Sequence, residues 1–212
     1  MSSVVIGISG CTRSGKSTLA KELALHYKGE HLSQDSFFMR PIKIDLPPPH
    51  GSMRSAEEPE CTNWDRFAGA IQELKKKPGS YVIVEGYQLL HSPQVVEQLD
   101  HIFHLDIGQE ECIRRRSAPK SEHNCHPIPV WKCRLLVWPA HERYVANSVE
   151  ALGPRVHRTR GIDGPDDVSR LAMEVLSVVN GAFRDGNVVD GSSRDGNAAL
   201  SPPRRRWGKK SA

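Results

Sequence analysis

No apolar run in this 212-residue sequence approaches the roughly 18 residues that a membrane-spanning helix needs, and no basic leader precedes the first apolar segment. A Cys-x-x-Cys pair is also missing. The cysteines are odd in number and scattered, which is typical of reduced thiols; they are Cys11, Cys61, Cys112, Cys125 and Cys133. These absences predict a cytoplasmic protein without a membrane partner.

A regular zinc-site spacing is absent too, although one segment concentrates potential metal ligands. His123, Cys125, His126 and Cys133 lie within EHNCHPIPVWKC, at intervals that match no common zinc pattern. The spacing favours a polar surface loop, with a structural metal site as the weaker alternative.

The body of the chain has no excess of either charge. Seven of the 29 basic residues but only three of the 25 acidic ones lie from Arg184 onward, so the net charge of +4 belongs to the C-terminal segment. This segment has little to bury, which predicts a basic disordered tail over residues 184–212. Its end, RRRWGKK, keeps a nuclear signal or a nucleic-acid contact open, but the neutral body predicts no nucleic-acid partner.

Strand-like and helix-like segments alternate before the tail. The runs VVIGI, EHLSQD, YVIVEG, HIFHLDI and RVHRT predict strands, with helical patterns between them. Alternation of this kind predicts an α/β fold with a parallel sheet and helices on both faces. Thr62 is expected to cap one helix, with Asp65 three residues on. The prolines Pro47, Pro48 and Pro49 are expected to forbid regular strand pairing in a long connection.

The stretch GCTRSGKST fits the pattern Gly-x-x-x-x-Gly-Lys-Ser/Thr, whose glycines let backbone N–H groups curl around phosphates. A predicted strand precedes it and a helical pattern follows, as the motif requires. We predict that Lys16 reaches the β- and γ-phosphates of ATP and that the Ser17 hydroxyl binds Mg²⁺. The predicted nucleotide-binding residues are Gly10, Cys11, Thr12, Arg13, Ser14, Gly15, Lys16, Ser17 and Thr18. With this motif, the predicted fold is an α/β three-layer sandwich of the P-loop NTPase type.

The strings Asp-x-x-Gly and Asn-Lys-x-Asp, which a GTPase switch would carry, occur nowhere in the chain. A kinase for a small hydroxyl compound needs an acid near that hydroxyl, a second acid for the metal and arginines over the phosphates. Asp35 and Glu85 end predicted strands whose carboxyl ends should share an edge with the phosphate loop. We predict Ser17, Asp35 and Glu85 as magnesium ligands, although either acid alone would also suit a strand-end turn.

Arg114, Arg115 and Arg116 end a predicted helix, where basic residues also complement the helix dipole. They precede a polar segment, about residues 117–129, that we predict to be a lid. Arginines at the mouth of a lid can neutralise transition-state charge. The predicted catalytic residues are Asp35, Lys16 and Arg116, within a P-loop kinase domain over residues 1–183.

The stretches GISGCTRSGKSTLA, SQDSFF, NWD, VEGYQLL, EECIRRRS and VWP, in this order, resemble the nicotinamide riboside kinases. The resemblance implies transfer of the γ-phosphate of ATP to the 5′-hydroxyl of nicotinamide riboside for NAD salvage. Nicotinic acid riboside is implied as a second substrate, and Mg²⁺ as the metal.

The same resemblance implies a role for individual residues. Asp35 matches the acid at the attacking hydroxyl, Trp64 an aromatic that stacks on the nicotinamide ring, and Asp65 the acid that binds the ribose 2′- and 3′-hydroxyls. Arg116 matches a lid arginine that contacts the substrate, and Arg115 one that faces ATP. Further implied contacts are Ser36, Phe37 and Phe38 for the substrate, and Asp166, Asp167 and Val168 for adenine. The residues alone favour structural roles at a helix start, with Trp64 as a core aromatic and Asp65 as a capping-box acid.

The chain departs from the family at Ser36, where a second acid is common. Two other functions stay open. One is a uridine or other nucleoside kinase, against which the string Asn-Trp-Asp and the pair Ser9–Gly10 argue. The other is a non-catalytic nucleotide-binding module, against which the intact set of catalytic residues argues. The sequence does not indicate an oligomeric state.

Overall fold

Five parallel strands form the centre of the structure, a computed structural model that describes residues 2–118 and 127–185. These five strands and a separate pair, β3 and β4, follow one another along the chain. They are β1 (Val4–Gly10), β2 (Glu30–Ser33), β3 (Ile42–Asp45), β4 (Ser52–Ser55), β5 (Tyr81–Gly86), β6 (His101–Asp106) and β7 (Val156–Arg160). The central sheet has the order β2-β5-β1-β6-β7. Because β1 pairs with both β5 and β6, the chain leaves β1 at the point where the strand order reverses, which is where open α/β sheets bind ligands.

Helices cover both faces of this sheet. They are α1 (Lys16–Tyr27), α2 (Trp64–Lys75), α3 (Pro93–Val96), α4 (Gln109–Ser117), α5 (residues 130–152) and α6 (Pro165–Asp185). Within α5 two segments, Cys133–Val137 and Val145–Val149, have π-helical hydrogen bonding. Helical patterns in the sequence lie within all of these helices except α3, whose four residues are too few to show a helical period.

Side chains of β1 point alternately into two cores. Val5 packs in a cluster with residues of α2, α3 and α5, whereas Ile6 and Ile8 pack with α1 and α6. The three side chains are fully buried, so both faces of the central strand are covered, as the unbroken apolar runs indicated. The predicted three-layer α/β fold with a parallel sheet is confirmed.

The proline-rich connection is more regular than expected. Strands β3 and β4 pair antiparallel, with Ile42 opposite Ser55 and Asp45 opposite Ser52. The expectation that Pro47, Pro48 and Pro49 would forbid pairing is wrong, because these prolines lie in the loop between the two strands and need no ladder hydrogen bond.

The predicted cap of α2 is displaced by one residue. The Asn63 side chain accepts a hydrogen bond from the Arg66 N–H at 3.1 Å and caps the helix. The hydroxyl of Thr62 instead accepts from Gln34 Nε2 at 3.0 Å. The prediction of Thr62 as the cap is therefore wrong, because a tertiary contact with a buried side chain uses its hydroxyl.

Several predictions fall on residues outside the described ranges. These are most of the lid over residues 117–129, most of the tail over residues 184–212, and three members of the potential metal cluster, His123, Cys125 and His126. The fourth member, Cys133, is buried in α5, where its thiol donates to the Ile128 carbonyl. Among the described residues all four cysteines are free thiols, as predicted, and no helix has the length and apolarity needed to cross a membrane.

Candidate active site

The phosphate loop connects β1 to α1 and depends on its two motif glycines. Gly10 has φ 144° and Gly15 has φ 100°, a region that residues with a side chain rarely adopt. A Cβ atom at Gly15 would lie 2.6 Å from the Cβ of Ile162, and one at Gly10 would lie 2.6 Å from the carbonyl oxygen of Leu105. Both conformation and space therefore require glycine at these positions.

The loop offers several hydrogen-bond donors to an anion. The Lys16 ammonium group, at the first residue of α1, donates to the Cys11 carbonyl at 2.8 Å and is buried. Within the described chain, Ser14 Oγ and Arg13 Nη2 are buried without a hydrogen-bond partner. Unpaired buried donors at the N-terminus of a twelve-residue helix fit a bound phosphate group.

Two carboxylates lie at this edge of the sheet, as predicted. Glu85, the second-last residue of β5, is buried and accepts a hydrogen bond from Ser17 Oγ at 3.2 Å. Burial alone would raise the pKa of Glu85, but the nearby His31 and Lys16 outweigh it, so the pKa lies below its ordinary value. Glu85 is therefore ionised at neutral pH.

Asp35 lies two residues beyond β2, in the short 3₁₀ turn Gln34–Phe37, and is exposed. Partial desolvation in the cleft and the charge of Glu85 raise its pKa, while Lys16 and Arg116 oppose the rise. The charges of Glu85, Lys16 and Arg116 thus all act on Asp35. Sequence reasoning predicted all four residues.

The Asp35 turn is joined directly to the start of α2. The Asn63 N–H donates to the Phe37 carbonyl at 2.9 Å, and Phe38 forms a β-bridge with Thr62. Next to this junction Trp64 is partly buried, with its indole N–H donating to the Pro59 carbonyl at 2.8 Å. Asp65 follows and is exposed. The tertiary structure thus brings together the two segments to which the family resemblance assigned substrate contacts.

The predicted substrate residues of the Asp35 turn differ in their surroundings. Phe37 packs against Phe67, with ring centroids 4.9 Å apart, so its ring belongs mainly to the core. Phe38 remains 42% exposed, and Ser36 is exposed as well. Of the three, Phe38 and Ser36 are accessible to a ligand.

Arg115 connects α4 to the phosphate loop and to the loop before α6. Its guanidinium group donates to the carbonyls of Arg13 and Ile162, and to Asp163 Oδ1 at 2.7 Å. The Ile162 N–H in turn donates to the Ser14 carbonyl at 2.9 Å. These bonds hold the loop over residues 161–164 against the phosphate loop.

The predicted adenine contacts lie at the start of α6. The Asp167 carboxylate accepts from the N–H groups of Asp163 and Gly164, at 2.9 and 3.3 Å, and the first of these bonds lowers the pKa of Asp167. The Asp167 side chain therefore orders its own loop. Asp166 is exposed and Val168 is half-buried.

Sequence reasoning missed Glu57 and His141. Both line a small pocket next to Cys11 and Thr12 of the phosphate loop. Burial raises the pKa of Glu57, and the charge of Arg116 opposes the rise. Glu57 lies in the proline-rich connection and His141 faces inward from α5, so neither has a motif or spacing that could have identified it.

His104 is buried and His141 is half-buried, and their imidazole rings are nearly parallel, with centroids 6.0 Å apart. Desolvation lowers the pKa of each to about 4. The unfolded chain takes up these protons near pH 6.5, whereas the folded chain does so only near pH 4. Stability attributable to these groups is thus complete above pH 6.5 and is lost as the pH falls towards 4.

We expect His104 to lower the free energy of unfolding by about 2 kcal/mol between pH 7 and pH 5. The variant His104→Phe keeps an aromatic ring beside His141 but cannot take up a proton, so it should lack this loss. Urea unfolding at both pH values would measure the difference. His26→Gln, on the exposed face of α1, is the matched control and should behave as wild type; a His104→Phe variant with the wild-type pH dependence would contradict the prediction.

Comparison with known proteins agrees with this geometry. No protein-family model matches the chain. Nicotinamide riboside kinase 1 of Mus musculus is 29% identical over 159 residues, which cover 68% of this chain and 79% of the mouse protein. The protein of the same name from Homo sapiens is 30% identical over 133 residues, which cover 56% of this chain and 66% of the human protein.

Solved structures of other kinases share the fold. A gluconokinase from Sinorhizobium meliloti superposes with a TM-score of 0.54 at 15% identity, covering 86% of this chain and 97% of the gluconokinase. A shikimate kinase from Bacteroides thetaiotaomicron gives a TM-score of 0.53 at 12% identity, covering 84% of this chain and 98% of that kinase. The chain is therefore similar to nicotinamide riboside kinases, has the α/β fold of P-loop kinases and is an ATP-dependent phosphotransferase.

Proposed function

We propose that the chain transfers the γ-phosphate of ATP to the 5′-hydroxyl of nicotinamide riboside, with nicotinic acid riboside as a second acceptor. The observation that carries this proposal is the junction between the Asp35 turn and α2. It joins Asp35, which feels the charge of Lys16, to the segment that carries Trp64 and Asp65. This combination suits a ribose that carries a planar cationic ring, and the names of the relatives agree with it.

Phosphoryl transfer needs positioning and charge neutralisation more than covalent chemistry. Lys16 would exchange its hydrogen bond to the Cys11 carbonyl for the β- and γ-phosphates. The unpaired donors of Arg13 and Ser14 would bind further phosphate oxygens. Arg116 would neutralise charge on the transferred group, because its electrostatic influence already reaches Asp35.

Asp35 would accept the proton of the attacking hydroxyl. The bond from the ribose oxygen to the γ-phosphorus forms while the bond to the β,γ-bridging oxygen breaks, and ADP leaves. The hydroxyl becomes acidic only as its new bond forms, so Asp35 can act as the base without a strongly raised pKa. Its exposed position in the turn leaves it accessible to the acceptor.

The oxygen donors at this edge also fit Mg²⁺. Ser17 and Glu85 are hydrogen-bonded to each other, and the charge of Glu85 acts on Asp35. Magnesium is usually held by one or two carboxylates and the phosphates of the substrate. Ser17, Asp35 and Glu85 would hold the ion, which would supply charge neutralisation at the β- and γ-phosphates. Ser36 offers only a hydroxyl where a second acid is common in the family.

Trp64 and Asp65 would select the acceptor. Attraction between a pyridinium ring and an indole face amounts to about 0.5–2 kcal/mol. The Trp64 N–H is already bound to the Pro59 carbonyl, which fixes the orientation of the ring. The exposed Asp65 carboxylate could accept hydrogen bonds from both hydroxyls of the ribose.

Four parallel assays test the acceptor. ADP release with Mg²⁺-ATP is measured with nicotinamide riboside, nicotinic acid riboside, uridine or cytidine, and each product is identified by mass spectrometry. We expect phosphorylation of the pyridine ribosides. Turnover with the pyrimidine nucleosides alone would overturn the acceptor assignment but keep the phosphotransfer site, and would favour the uridine kinase alternative.

Replacing Trp64 by alanine should raise the KM for nicotinamide riboside about tenfold, since about 1.4 kcal/mol of ring binding corresponds to that factor. The KM for ATP should stay within about twofold, because the indole lies on the acceptor side. Steady-state kinetics with each substrate varied would show the difference. Trp131→Ala, at a 51% exposed tryptophan of α5, is the matched control; equal changes in both KM values for Trp64→Ala would refute the assignment.

A further inference from the structure

Two buried cysteine thiols meet beneath the phosphate loop. Cys11 belongs to the loop itself and Cys112 belongs to α4, so their side chains come from separate elements. Both thiols donate to one acceptor, the Thr12 carbonyl, with sulfur–oxygen distances of 3.3 Å for Cys11 and 3.7 Å for Cys112. The two residues are only 2% and 1% exposed. Two sulfur atoms that share one acceptor are neighbours in the fold.

The two thiols are also chemically unequal. The neighbouring Cys112 thiol and burial raise the pKa of Cys11. The neighbouring Cys11 thiol and the charge of Lys16 lower the pKa of Cys112, although burial opposes this. Because the thiolate is the reactive form of cysteine, Cys112 is the nucleophile of the pair.

A small pocket borders the pair. Cys11 lines this pocket together with Glu57 and His141, and the pocket has room for a molecule about the size of water. Bulky reagents would be excluded there, whereas hydrogen peroxide is only slightly larger than water. Burial therefore limits the chemistry to small oxidants without preventing it.

We propose that Cys11 and Cys112 form a reversible disulfide that joins the phosphate loop to α4 and lowers kinase activity. Hydrogen peroxide supplies the oxidising equivalents. The Cys112 thiolate attacks one peroxide oxygen, the O–O bond breaks, and the departing hydroxide takes up a proton to form water, which leaves a sulfenic acid. The Cys11 sulfur then attacks the Cys112 sulfur, the S–O bond breaks, and the Cys11 proton leaves with the hydroxide as a second water.

Formation of the bond must disturb the site. The two sulfur atoms have to approach to about 2.05 Å, well inside the range of a thiol hydrogen bond. The disulfide removes both donors from the Thr12 carbonyl and pulls α4 towards the loop. Helix α4 carries Arg115, which binds the Arg13 and Ile162 carbonyls, and the predicted catalytic Arg116. A shift of even about 1 Å in such a site can lower the rate about a hundredfold.

The test treats the full chain with hydrogen peroxide, blocks the remaining thiols with iodoacetamide and maps peptides by mass spectrometry. We expect one linked peptide that joins Cys11 to Cys112, with a mass lower by two hydrogen atoms. Turnover with ATP and nicotinamide riboside should fall about a hundredfold, and dithiothreitol should restore it. Binding of the fluorescent nucleotide TNP-ATP should weaken in parallel, which gives a functional readout that does not depend on the acceptor.

Two variants decide between this disulfide and general oxidation. Cys112→Ser should keep its basal activity and lose its sensitivity to peroxide, and Cys112→Ala provides a second version if serine disturbs folding. Cys133→Ser, at another buried cysteine near α4, should remain as sensitive as wild type. The proposal is overturned by inactivation of Cys112→Ser to the wild-type extent, by a linked peptide that contains Cys133, or by a Cys11–Cys112 link that leaves turnover unchanged.

Discussion

Replacing Asp35 by asparagine should lower the turnover number with nicotinamide riboside at least about a hundredfold, because the variant keeps the size of the side chain but cannot accept the hydroxyl proton. The Ser33 hydroxyl, which accepts from the N–H of residue 35 at 3.3 Å, should hold the turn in place. The steady-state initial rate of ADP release would measure the loss of turnover. Titration with TNP-ATP would show that nucleotide binding persists.

The control for this variant is Asp45→Asn. Asp45 is an exposed acid of β3 that accepts from Ser52 Oγ at 2.6 Å, away from the phosphate loop. It carries the same loss of charge and should leave turnover within about twofold, as surface substitutions usually do. An Asp35→Asn variant with near-wild-type turnover would exclude Asp35 as the base and direct attention to Glu57, the other acid influenced by Lys16 and Arg116.

Replacing Lys16 by methionine should reduce kcat/KM for ATP by about a hundredfold to a thousandfold, the usual cost of removing one donor to transition-state charge. Methionine retains much of the buried aliphatic stem, so the variant isolates the loss of the ammonium group. Arginine should not restore the rate, because its planar guanidinium group cannot occupy the compact position against the Cys11 carbonyl.

Lys21→Met serves as the comparison for Lys16→Met. Lys21 lies on the exposed side of the same helix, one turn further along the chain. Its loss changes the net charge equally but leaves the phosphate loop intact, so kcat/KM should stay close to wild type. Comparable losses in both variants would mean that α1 tolerates neither substitution, and would contradict a specific role for Lys16. Thermal unfolding of each variant would reveal such a common loss of stability.

The phosphate loop was predictable because its function needs a short, continuous pattern. Glycine at positions 10 and 15 follows from local backbone angles, and Lys16 and Ser17 follow from the helix that begins there. Strands with apolar residues on both faces likewise identified a parallel sheet before any contact was known. In these cases the physical causes lie within a few residues of each other.

Other features depend on contacts between distant segments, which no local pattern reveals. The hydroxyl of Thr62 binds Gln34, so Asn63 caps α2 instead. Glu57 and His141 approach the phosphate loop from two separate connections, and neither has a spacing that relates it to that loop.

The sequence by itself determined the α/β class, the phosphate loop and the acids at the strand ends, since each follows from local backbone geometry or from the side-chain period of a strand. Only the tertiary structure decided that the Asp35 turn joins the start of α2, and that Cys11 meets Cys112 against one carbonyl oxygen. The physical reason is that packing of α2 and α4 around the sheet sets these distances. Such packing depends on the combined burial of many side chains and not on any one motif.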